Sequence, residues 1–137
     1  MYIEFGNEII DSKDMKEKIE KNTEFRVIKD MSKGSKREDI LAFNLSITID
    51  TLNNKMLEES NVNVLTEDKL FEEYLNSAEK IATSIKIYTP AKAIVDIKAY
   101  KWEPSDNDIK LVIAIAHEEV GKLKLRDIIK RLLTQVE

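Results

Sequence analysis

The sequence predicts an α+β domain: a mainly antiparallel sheet of two hairpins with two long helices packed across it as a two-layer sandwich. Three observations point there. Residues 41–50, LAFNLSITID, put Leu41, Phe43, Leu45, Ile47 and Ile49 on every second position, the period of a strand with one face in a core. AKAIVDIKAYKW (91–102) and IKLVIAIAH (109–117) are apolar runs with β-branched and aromatic residues, flanking the turn-forming EPSDND (103–108). Two further stretches repeat apolar residues at spacings of three and four, one from Leu70 to Ile85 and one from Leu125 to Val136. All 137 residues are assigned to one domain, 1–137.

The elements follow in the order β-α-β-β-(β)-α-β-β-α. YIEFG (2–6) reads as a short strand. Asp11 and Ser12 offer N-caps to a mostly solvated helix, SKDMKEKIEKN, whose stripe is only Met15 and Ile19. TEFRVIKD (23–30) reads as a strand with Phe25 and Val27 on one face, and the polar run MSKGSKRED (31–39) as the loop of a hairpin leading into LAFNLSITID. Residues 51–65 are ambiguous: Leu52, Met56 and Leu57 suit a short helix, Asn53-Asn54 a turn, and NVNVL (61–65) a short strand. Thr66 is the expected N-cap of the long helix, with Leu70, Phe71, Tyr74, Leu75, Ala78, Ile81, Ala82 and Ile85 on its stripe and Pro90 as its outer limit. The second hairpin follows. Gly121 breaks the chain, and the last helix buries Leu125, Ile128, Ile129, Leu132, Leu133 and Val136.

Composition narrows the chemistry. The chain contains no cysteine, which excludes disulfides, thiolate metal ligands and a thiol nucleophile. No stretch approaches the roughly 20 apolar residues of a membrane span. The N-terminus lacks the basic and apolar regions of a secretory signal, so a cytoplasmic location is expected. The net charge is −4, which speaks weakly against a general nucleic-acid binder.

Four features invite function. The second face of LAFNLSITID carries Ala42, Asn44, Ser46 and Thr48, small and uncharged in a chain that is 35% charged. Such a face suits cover by a partner, or by residues 51–65 folding back. Tyr100 and Trp102, placed on one strand face with Lys98 by period-2 alternation, join it as interface candidates. Lys33, Lys36 and Arg37 surround Gly34 and Ser35 in a loop that could hold an anion, though its spacing is not that of a Walker A loop. Lys122, Lys124, Arg126, Lys130 and Arg131 against Asp127 give the last helix a local charge of five minus one, or +4.

His117, the only histidine, is followed by Glu118 and Glu119, but HEEVG lacks the second histidine of the zinc motif and reads as an ordinary strand end. The acidic residues of the long helix (Glu67, Asp68, Glu72, Glu73, Glu79) read as its solvated side. No catalytic, cofactor or metal set is expected. The expected function is a non-enzymatic protein-interaction module, a homodimer or a subunit of a larger complex. The alternative is a nucleic-acid-binding domain using the basic loop and the basic terminal helix.

Overall fold

A computed structural model describes residues 1–56 and 67–136. The N-terminal segment makes two strands where the sequence suggests one. β1 (Tyr2–Phe5) and β2 (Glu8–Asp11) form a hairpin that turns at Gly6-Asn7, with Ile3 opposite Ile10. Gly6 sits at φ +59°, the left-handed region that glycine enters without cost. The Asp11 carboxylate then accepts from the Lys13 N–H at 3.1 Å and opens α1 (Ser12–Asn22) as expected. That N–H, helped by the N-terminal ammonium 3.3 Å away, holds Asp11 below the usual carboxylate range. Met15 and Ile19 are buried, so the sparse stripe is the packed one.

β3 (Arg26–Asp30) leads through a 3₁₀ turn (Ser32–Ser35) into β4 (Ile40–Thr48). The strand ends earlier than its alternation suggests. Thr48 Oγ1 accepts from the Thr51 N–H at 3.2 Å and starts α2 (Ile49–Met56), so the expected short helix at Leu52 forms from Ile49 onward. The proposed strand 61–65 and the Thr66 cap lie outside the described residues. α3 (Glu67–Ala82) tightens into 3₁₀ geometry over Thr83–Tyr88, just before Pro90. There the Thr83 and Ser84 hydroxyls donate to the carbonyls three residues back, at 2.6 and 2.8 Å. β5 (Ala93–Glu103) and β6 (Asp108–His117) form the second hairpin, and α4 (Lys122–Val136) closes the chain.

The fold class is the one the sequence predicts: α+β, with antiparallel sheets and two long helices. The main sheet runs β3-β4-β6-β5, all antiparallel, and β1-β2 forms a sheet of its own. One face of the main sheet gathers Leu41, Phe43, Leu45 and Ile47 with Ile109, Leu111, Ile113 and Ile115, under Ile3, Phe5, Met15, Ile19, Tyr74 and Ala78. The other face gathers Ile40, Ala42, Val112, Ala114 and Ala116 under Leu125, Ile128, Ile129 and Leu132 of α4. The two long helices therefore lie on opposite faces. The cover over Ala42 comes from the chain's own last helix.

A bulge corrects the placement of the two aromatics. Ala99 stands opposite Leu111, and Lys101 opposite Lys110, so Tyr100 is the extra residue. Beyond it the alternation reverses. Tyr100 stays on the α4 side, where its hydroxyl donates to Asn44 Oδ1 at 3.0 Å and burial pushes its pKa up. Trp102 turns to the α3 side, edge-on to Tyr74 at 5.0 Å and stacked on Phe71 at 6.3 Å between ring centroids. The two do not share a face. Along this edge strand the Ala99 N–H donates to Glu79 Oε1 at 2.9 Å, and the Ile97 N–H to Asp96 Oδ1 at 3.0 Å. Carboxylates occupy edge donors that another strand would otherwise use.

Candidate functional surfaces

The sheet's second face is roofed at one end only. Ala42 lies under α4 and is wholly buried, Asn44 is tied to Tyr100, Ser46 is nearly buried, and Thr48 is exposed. Beyond the helix a groove of about 500 Å³ opens over Ser46 and Thr48, walled by Glu24, Arg26, Asp106, Asp108 and Lys110. Register explains the assembly: Arg26 is opposite Ser46, Ser46 opposite Lys110, and Thr48 opposite Asp108, so alternation points all five side chains the same way. The Lys110 ammonium contacts Asp108 Oδ2 at 3.0 Å and Asp106 Oδ2 at 3.2 Å. Burial lowers the Lys110 pKa, but the two carboxylates outweigh it and raise the value overall. Of the six interface candidates, the fold brings Ser46 and Thr48 to this groove. It places Asn44 and Tyr100 together on the same face, and sends Trp102 elsewhere.

The two basic segments, distant in sequence, meet in space. Gln135 Nε2 donates to the Gly34 carbonyl at 3.0 Å, and Arg131 Nη1 to the Ser35 carbonyl at 3.3 Å. Lys124, Arg131 and Gln135, seven and four residues apart, share one flank of α4. That flank faces the loop bearing Lys33, Lys36 and Arg37. Lys122, Arg126 and Lys130 fall on the helix's other exposed positions, beside a 77% exposed Leu123. Arg37 is already engaged: its guanidinium makes two bonds of 2.7 Å to Asp39. Sequence reading missed that partner. Its signal was the spacing of two, which in extended chain puts both side chains on one side.

The Arg37 guanidinium holds the Asp39 carboxyl below the usual carboxylate range, with a smaller pull from Lys124. A lowered native pKa stabilises the fold above the unfolded value, near pH 4, and the gain is lost as pH falls through the native value. Asp39→Asn should therefore cost up to ~1 kcal/mol at pH 7 and almost nothing near pH 2. Urea midpoints of both proteins at the two pH values measure this. An equal loss at both would assign the cost to packing.

His117 closes a pocket of about 480 Å³ with Glu4, Arg37, Asp39, Glu119 and Lys124. Its Nδ1 accepts from the Glu119 N–H at 3.2 Å, which places the ring proton on Nε2. The ring stands edge-on to Phe5 at 5.3 Å and lies against Gly6, pinning the N-terminal hairpin to the end of β6. Glu118 and Glu119 belong to a 3₁₀ turn (Glu118–Val120). Among the described residues no group of three or more His, Asp or Glu is placed to hold a metal ion. On α3, Glu72 and Glu73 are exposed as expected, while Glu79 serves the edge of β5.

Among the described residues no helix is long and apolar enough to cross a membrane. Comparisons with protein-family models, with curated proteins and with solved structures find no match.

Proposed function

We propose that this protein is a non-enzymatic protein-interaction module that works as a homodimer or as one subunit of a larger complex, in the cytoplasm. The observation that supports it is the groove beyond the end of α4. There the helix that roofs the rest of the sheet face stops short, leaving Ser46 and exposed Thr48 between the charged walls Arg26, Asp108 and Lys110. Exposed Ile28 on its wall is of the kind that partners cover. The side-chain caps on β5 argue that association runs through this face rather than by adding a strand at that edge.

The test is solution mass by light scattering after size exclusion, repeated on Ser46→Lys and on Arg26→Glu. Arg26→Glu changes an exposed wall residue and should leave the fold intact. A dimer or larger assembly that falls to monomer in both variants is the expected result. Association unaffected by either variant would overturn the groove as the seam.

Nucleic-acid binding is a second reading, favoured by one observation: loop 32–37 and one flank of α4 form a single basic surface. On that reading binding is salt-sensitive, and neutralising Lys33, Lys36 or Lys124 lowers the salt slope by about one each. Arg37→Ala changes it less, because Asp39 already balances that charge. Absorbance at 260 nm on the eluted peak and retention on DNA and RNA columns at low salt decide the matter. No retention rejects this reading.

A further inference from the structure

We infer that the free edge of β5 is a pairing surface for a second copy of this chain, held closed by the Glu79 carboxylate; the groove plays no part in it. β5 is an edge of the main sheet, 11 residues long, with half-buried Ile94, Val95 and Ile97. An edge strand of that length and character is a template for another strand. Two of the outward N–H groups that such a strand would use are already taken. Ala99 donates to Glu79 Oε1 at 2.9 Å, and Ile97 to Asp96 Oδ1 at 3.0 Å. Alternation turns the Val95 N–H the same way. The opposite edge of the sheet is treated alike: the Val27 N–H of β3 donates to Glu20 Oε2 on α1 at 3.5 Å. That strand has only 5 residues and a bulge after Val27, so it offers a partner little.

The sequence of β5 identifies the occupant. A two-fold axis through Ile97 sets two antiparallel copies with Ile97 opposite Ile97, Val95 opposite Ala99, and Asp96 opposite Lys98 of the second copy. The first two pairings join residues whose backbone groups face outward. The third sets a carboxylate opposite an ammonium on both sides of the axis. Pairing therefore gives Asp96 a cation in exchange for the N–H it releases, while the Ile97 N–H takes a carbonyl of the second copy. Glu79 has no such exchange. It stands on α3, and its neighbour Lys98, 3.9 Å away, is the cation that Asp96 of the second copy draws off. Glu79 is thus the lock, and Asp96 the part that yields.

The test is solution mass by light scattering over rising concentration, on the unaltered chain, Glu79→Ala and Glu79→Gln. Glu79→Ala removes the acceptor, and alanine favours the helix, so the fold is retained. Its mass should approach twice that of the unaltered chain, with amide exchange at Val95 and Ala99 slowed about tenfold or more as it associates. Glu79→Gln keeps a carbonyl for the Ala99 N–H and should match the unaltered chain. Adding Lys98→Glu, at an exposed position, to Glu79→Ala sets like charges opposite each other and should abolish the gain. Adding Asp96→Lys to that pair restores the attraction and should restore the gain. Glu79→Ala at the unaltered mass overturns the proposal, as does an equal gain in Glu79→Gln or a gain indifferent to Lys98→Glu. A gain that disappears with Arg26→Glu also overturns it, since the association would then run through the groove.

Discussion

Leu132→Ala should lower the free energy of unfolding by about 2–5 kcal/mol, a large part of the roughly 5–15 kcal/mol that holds a domain together. Leu132 is wholly buried between α4 and the sheet. Its removal loses the transfer energy of three carbons and leaves a cavity against Ala42, Ala114 and Ala116, whose side chains are too short to fill it. The companion variant Ala114→Leu tests the same roof from below. Under a closely packed helix an added isobutyl group forces α4 off the sheet and costs about 1–3 kcal/mol. On a wet face the same substitution would cost little. Urea unfolding monitored by far-ultraviolet circular dichroism reads both. Loss in Leu132→Ala with none in Ala114→Leu would mean that α4 rides loosely over the small residues. Loss in neither would mean that the helix does not cover that face in solution.

That roof shows where the sequence was legible and where it was not. Period-2 and period-3.6 patterns are local, so they located β4, β6, α3 and α4, but for β4 and β6, which are buried on both faces, they marked only one of the two buried sides. Leu125, Ile128, Ile129 and Leu132 are the residues that α4 buries, while Leu133 and Val136, expected on the same stripe, are only partly buried. Nothing local says which sheet face receives that stripe. The small second face of β4 suits a partner or residues 51–65 equally in sequence, because its true neighbour, α4, lies some eighty residues later in the chain. The reading of Tyr100 and Trp102 failed for a different reason: alternation holds only while the ladder is regular, and one extra residue reverses every position beyond it. The basic segments illustrate a third case. Their charges were evident in sequence, but their adjacency depends on Arg131 and Gln135 reaching loop carbonyls about a hundred residues away. Asp108, buried at the groove, reads in sequence as one more acidic turn residue. Only the three-dimensional register shows it to be buried with an oxygen unsupplied.

Gly6→Ala should destabilise the protein by about 2–3 kcal/mol, an effect with two separable parts. Holding an alanine at φ +59° costs about 1–2 kcal/mol by itself. The remainder is steric: the new Cβ would stand 2.8 Å from Cδ2 and 2.9 Å from Nε2 of His117. The imidazole cannot simply step aside, because its other edge accepts from Glu119 and the ring is held at right angles to Phe5. Moving it gives up that hydrogen bond, about 1 kcal/mol. A double-mutant cycle separates the parts. In a His117→Ala background the same glycine substitution should cost only the conformational share, so the coupling between the two sites should be about 1 kcal/mol. Gly34→Ala supplies the contrast. Gly34 lies outside the left-handed region, and its Cβ would meet only the carboxamide end of Gln135, a flexible group that can turn away. The lost Gln135 contact and the reduced freedom of the unfolded chain then oppose each other, leaving a change within about 0.5 kcal/mol. Equal costs at Gly6 with and without His117 would mean that the ring does not seat the N-terminal hairpin. The hairpin would then be held by Ile3 and Phe5 in the core alone.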